Sequence, residues 1–142
     1  LALHIPPPLR KMQKSSFMYK YERKVNGTVE EVYGKLFTEL KKRGYVVLSY
    51  IDVAQILKNA LKKDVDPYYI LNVCKPSAAD EILSVSRDYG LFLPCKIVLK
   101  GEGDKVTISM QYVSTQINDY MGQDGNVAVK YEKEIEEAIK DI

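Results

Sequence analysis

The chain has 142 residues, 46% hydrophobic and 28% charged, with a formal charge of +2 and two cysteines. That length suits one domain with a core of its own, and no apolar run approaches the ~20 residues of a membrane span. Arg10, Lys11 and Lys14 lie in an acid-free leader, so residues 17–142 carry a net charge of −1, which speaks against a nucleic-acid-tracking surface.

Residues 1–16, with the run "IPPPL", read as a disordered or vector-derived leader outside the fold. The folded part is expected to be a single domain over 17–142. "FMYKYERKV" alternates, with Phe17, Tyr19, Tyr21, Arg23 and Val25 on one side, which predicts a half-buried strand. In "TVEEVYGKLFTELKKRG", Thr28 and Glu31 have the spacing of a capping box. Val29, Val32, Tyr33, Leu36, Phe37 and Leu40 form an apolar stripe, and Gly44 supplies a left-handed stop.

"YVVLSYI" predicts a second strand. Asp52 is placed to cap a helix, "VAQILKNALKK", with Val53, Ile56, Leu57 and Ala60/Leu61 facing inward. "YYILNV" reads as a buried strand, and "KPSAADEILSVS" as a short helix with Ser77 and Asp80 in capping positions. "PCKIVLKGEGDKVTISMQY" predicts two strands around a glycine-containing hairpin turn. The last helix, within "NVAVKYEKEIEEAIKDI", should bury Val127, Tyr131, Ile135, Ala138 and Ile139. Glu132 and Glu136 are expected on its other side, paired with lysines. The expected class is α+β in the order β-α-β-α-β-α-β-β-α. It has about five strands in one mixed or mostly antiparallel sheet, with helices packed on it.

Chemistry-bearing residues are few. His4 is the only histidine and lies in the leader, so residues 17–142 offer no thiol–imidazole or hydroxyl–imidazole relay and no zinc set within one chain. Cys74 ends a strand just before a helix, where free amides and the neighbouring Lys75 favour a thiolate. Cys95 follows Pro94 at the start of another strand. Strand adjacency can bring the two sulfurs together, as packed structural thiols, a functional thiol site or a disulfide. Cys74, Lys75, Pro76, Pro94 and Cys95 are therefore the candidate ligand or thiol site. No metal site is expected, and the sequence names no cofactor.

"IDVAQILK", "PYYILNVCKPSAADEIL" and "GLFLPCKIVL" together resemble the domain-of-unknown-function family 302, over roughly residues 44–110. The matching positions are Asp52, Val53, Tyr69, Ile70, Leu71, Cys74, Pro76 and Ala79, then Gly90, Leu91, Leu93, Pro94 and Cys95. Lys75 and Ser77 stand where the family often has Asn and Pro. The resemblance implies a compact α+β domain that forms homodimers, and it carries no activity. The expectation is a cytoplasmic homodimer that binds a small molecule or does thiol chemistry at a Cys74/Cys95 pocket. The alternatives are a non-catalytic interaction or regulatory module with structural cysteines, and a thiol-dependent redox enzyme. Neither nucleic acid nor membrane is expected as a partner.

Overall fold

The computed structural model describes residues 19–142. The leader and the strand positions Phe17 and Met18 lie outside the described residues. Five strands form one sheet: β1 (Lys20–Asn26), β2 (Val46–Asp52), β3 (Tyr68–Cys74), β4 (Cys95–Glu102) and β5 (Lys105–Gln111). Its spatial order is β1-β5-β4-β3-β2, and every neighbouring pair is antiparallel. Of the two sheet types expected, the antiparallel one is realised. The helices are α1 (Val29–Lys42), α2 (Val53–Leu61), α3 (Pro76–Val85), α4 (Val113–Met121) and α5 (Val129–Lys140). Short 3-10 segments occupy Arg87–Phe92 and Gly125–Ala128.

The α+β reading and its order of elements hold, with one helix, α4, added after β5. Helix α1 begins as its capping signal predicts. Thr28 Oγ1 accepts from the Glu31 amide at 3.2 Å, and Gly44 follows the helix at φ 82°. Asp52 caps α2 in the same way, accepting from the Gln55 amide at 3.0 Å. The hairpin turn is Gly103-Asp104, between the paired Glu102 and Lys105. Gly103 takes the left-handed φ of 61° that a tight turn of the matching hand requires.

One layer of helices covers one face of the sheet. Val29, Val32, Leu36 and Leu40 of α1 and Ile135, Ala138 and Ile139 of α5 meet Leu71 and Val73 of β3, Ile97 and Leu99 of β4, and Val106, Ile108 and Met110 of β5. Strand alternation explains this set, since every second residue of β3, β4 and β5 is buried. Arg23 of β1 reaches the end of α5, where Nη1 donates to the carbonyls of Ile139 (2.6 Å), Lys140 (3.0 Å) and Ile142 (3.1 Å). A cation on the negative end of the helix dipole thus ties the edge strand to the helical layer.

Three local expectations are corrected. Helix α2 has no buried residue, and Ile56 and Leu61 are 52% and 66% exposed. Its stripe is real, but it covers the outer end of the sheet and leaves much of its apolar surface free. Helix α3 starts on Pro76 and its N-cap, Lys75, makes no side-chain cap bond, so Ser77 is not the cap. Glu132 does not pair with a lysine on the solvent side. It is 4% exposed and accepts from Ser114, through the amide at 2.8 Å and the hydroxyl at 2.6 Å. Its position three residues before Ile135 and seven before Ile139 puts it on the buried stripe.

Candidate functional site

A second apolar cluster stands at the end of the sheet where β3 leaves and β4 enters. Ala78 and Ile82 of α3, Tyr89 of the first 3-10 turn, Val113 and Ile117 of α4, Ala128 and Tyr131 compose it. Cys95 packs against both this cluster and the main core. Between the two lies a partly enclosed cavity of about 250 Å³. Its walls are mostly aliphatic, with Ala78, Ile82 and Leu83 on one side and Val73, Leu93 and Val113 on others. Its polar groups are Tyr45, Lys75, Cys95, Tyr131 and Glu132.

Four of the five residues picked out by sequence, Cys74, Lys75, Pro94 and Cys95, line this cavity. Pro76 is not among the lining residues. It serves instead as the first residue of α3, where its missing N–H is not needed. The Leu93–Pro94 peptide is cis.

The two cysteines come to the same end of the sheet but are not bonded to each other, and both are free. Pairing explains why. Cys95 lies opposite Val73 in the β3–β4 ladder, so its side chain shares the core face with Val73. Cys74 is the next residue along β3 and has the opposite parity, so the two thiols do not project from the strands toward one another.

The electrostatics of the site also depart from an activated thiol. Cys95 keeps some accessible surface, but it lines an apolar hollow, and burial is the main reason its pKa rises from 9.0 to about 12. The nearby Glu132 and then Cys74 push in the same direction, against a weaker lowering by Lys96. Lys75 does not stand free beside the sulfurs. Its Nζ lies 3.1 and 3.2 Å from the two carboxylate oxygens of Glu134 and 5.2 Å from the centre of the Tyr45 ring. Tyr45 donates its hydroxyl to Glu134 at 2.8 Å, and burial followed by that carboxylate raises its pKa. Tyr131 bonds through its hydroxyl to Glu81, which also pairs with Lys130 at 2.9 Å. Burial raises the Glu132 carboxyl against the lowering by its bonds to Ser114.

Reading by sequence missed Tyr45 and Glu132 as cavity residues. Glu132 was detectable as a carboxylate on an apolar stripe. Tyr45 was read only as the first residue of the predicted strand "YVVLSYI", which gave no sign that it faces the cavity. Among the described residues no group of three or more His, Cys, Asp or Glu side chains is gathered to hold a metal ion. No helix of the described residues is long and apolar enough to cross a membrane.

The fold and cavity define a helix-backed antiparallel α+β domain with a small apolar hollow at one end of its sheet. The chain belongs to the family described as "Domain of unknown function DUF302", whose sequence profile matches residues 21–142. It is similar to the crystal structure of an uncharacterized conserved DUF302 protein from Bacillus stearothermophilus. The two share 28% identity and a TM-score of 0.80, over 87% of this chain and 97% of that one. No curated protein matches the chain.

Proposed function

We propose that this domain is a cytoplasmic homodimer that holds a small, largely apolar molecule in the cavity beside Cys95. The observation that carries the reading is the hollow itself, about 250 Å³ of mostly aliphatic wall with a buried carboxyl at its side. Small-molecule sites have this composition, apolar surface for affinity and a few polar groups for orientation. Binding is favoured over thiol catalysis because the Cys95 thiol is pushed up rather than made nucleophilic.

The homodimer reading draws support from the other end of the sheet. Strand β2 is an edge strand, and Val46, Leu48, Tyr50 and Ile51 on it are exposed, alongside Ile56 and Leu61 of α2. Edge strands of isolated domains are normally short, charged or covered. The free apolar surface also favours an interaction role over a lone soluble body. A second copy is the occupant the family resemblance implies.

Titration of the isotope-labelled chain with indole tests the ligand reading. Saturable amide shifts confined to Ala78, Ala79, Ile82, Gly90 and Cys95 are expected, and Ala78→Phe should abolish them by filling the hollow. Absence of saturation, or identical shifts in the filled variant, would overturn it. Sedimentation velocity should show a dimer that Leu48→Asp converts to monomer, and a monomeric parent chain would end the homodimer reading.

A further inference from the structure

A second cleft lies on the opposite face of the sheet. It is about 560 Å³ in volume and runs between the outer residues of β4 and β5 and one side of α4. Strand alternation puts Lys96, Val98 and Ser109 on that outer face, since Ile97 and Ile108 point into the core. Helix α4 turns Gln116, Asp119 and Tyr120 to the cleft, while Val113 and Ile117 face the apolar cluster.

Asp119 stands out chemically. It is 2% exposed, and its Oδ1 has no hydrogen-bond partner. A buried carboxylate oxygen without a donor is destabilising, and native structures keep few of them. Gln116, whose Oε1 accepts from Gln111 Nε2 at 2.9 Å, makes no hydrogen bond to it. Gln111 in turn holds the Phe92 carbonyl at 3.1 Å and the Lys96 amide at 2.9 Å, which fixes this wall of the cleft.

The cleft also contains an opposite charge that Asp119 does not use. Lys20 is taken by Glu22 at 2.8 Å, but the Lys96 ammonium has no ion-pair or hydrogen-bond partner among the described residues. An acid lacking a donor and a cation lacking an anion thus line one cleft without meeting. Tyr19 and Tyr120 at the rim, with Val98 between, give it apolar walls.

We infer that this cleft binds an α-amino acid with an apolar or aromatic side chain. The ligand's ammonium donates to Asp119 Oδ1, its carboxylate faces Lys96, and its side chain lies against Tyr120 and Val98. A plain amine would meet the Lys96 charge unfavourably, and a plain carboxylate would meet Asp119. Only a ligand carrying both charges satisfies both ends.

The test is a titration of the full chain with L-phenylalanine, followed by backbone amide shifts. Saturable shifts are expected at Val98, Ser109, Gln116 and Tyr120. Phenethylamine and 3-phenylpropanoate, each lacking one charge, should bind at least about tenfold more weakly. Lys96→Ala and Asp119→Asn should each weaken L-phenylalanine by about the same factor, because each deletes one charge-assisted contact. Ala78→Phe, in the other cavity, should leave the affinity unchanged. No saturable shift with L-phenylalanine overturns the inference, as does undiminished affinity in Lys96→Ala or equal affinity for phenethylamine. Should Asp119→Asn fail to fold by thermal melting, the surface variant Lys96→Ala and the two half-ligands decide the matter.

Discussion

Cys95 should be among the least reactive thiols an alkylating reagent can meet in this protein. Its pKa is displaced from 9.0 to about 12, chiefly by burial beside an apolar hollow. Because the thiolate is the attacking species, native Cys95 should react about a thousandfold more slowly at pH 8 than the same residue in the unfolded chain. Iodoacetamide labelling with peptide mapping, in buffer and in denaturant, measures both rates and separates Cys95 from Cys74. The pH profile adds a second readout. The native rate should climb about tenfold per pH step through pH 10, whereas the denatured rate levels off above its ordinary pKa. The same displacement acts on stability. The unfolded state ionises first above pH 9, so the stability supplied by a neutral buried thiol is lost as pH rises from 9.0 towards about 12. That interval corresponds to roughly 4 kcal/mol, an order-of-magnitude figure. Native labelling within about a tenth of the denatured rate would refute the reasoning and restore a thiol-chemical reading of the cavity.

Gly125→Ala should be among the most damaging small substitutions. An added Cβ would sit 2.3 Å from the Ser114 carbonyl oxygen and 2.7 Å from its Cα, both backbone, so the junction of α4 with the second 3-10 turn must open. A loss of at least ~3 kcal/mol in urea denaturation is expected. Arg23→Ala removes three bonds to carbonyls at the end of α5 and should lower stability by about 1.5–3 kcal/mol, with amide exchange speeding first in β1 and the last turn of α5. For Glu132, burial raises the carboxyl above 4.5, so the native state holds its proton to higher pH than the unfolded state does. Stability from this group is therefore full below pH 4.5 and falls as pH rises through the native pKa. Glu132→Gln should flatten that part of the stability–pH curve, and an unchanged slope would show that Glu132 does not titrate there.

What was legible in the sequence was whatever depended on short-range rules. Thr28 and Asp52 cap where their spacing says, and the alternation of β3, β4 and β5 gives the core face residue by residue. Helix α4 was overlooked although Val113, Ile117 and Met121 recur at four-residue steps and Gly122 ends it in a left-handed conformation. It lacks an acidic first turn, and Tyr112 gives no side-chain cap, so the usual start signals were missing. The inward reading of Ile56 and Leu61 failed for a different reason. Periodicity reveals an apolar stripe but not what covers it. Four of the five candidate site residues reach one cavity because β3 and β4 are neighbours. What kept the two thiols from facing each other was strand parity, which depends on a register fixed only in the folded sheet.

The sheet places its first two strands at opposite edges, and among the described residues β1 pairs with β5 alone, with Asn26 beside Lys105, 79 positions away along the chain. During synthesis the strand must therefore wait, unpaired, until β5 has left the ribosome. Three basic residues among its seven, Lys20, Arg23 and Lys24, keep that waiting segment hydrated and deter it from joining a neighbouring nascent chain.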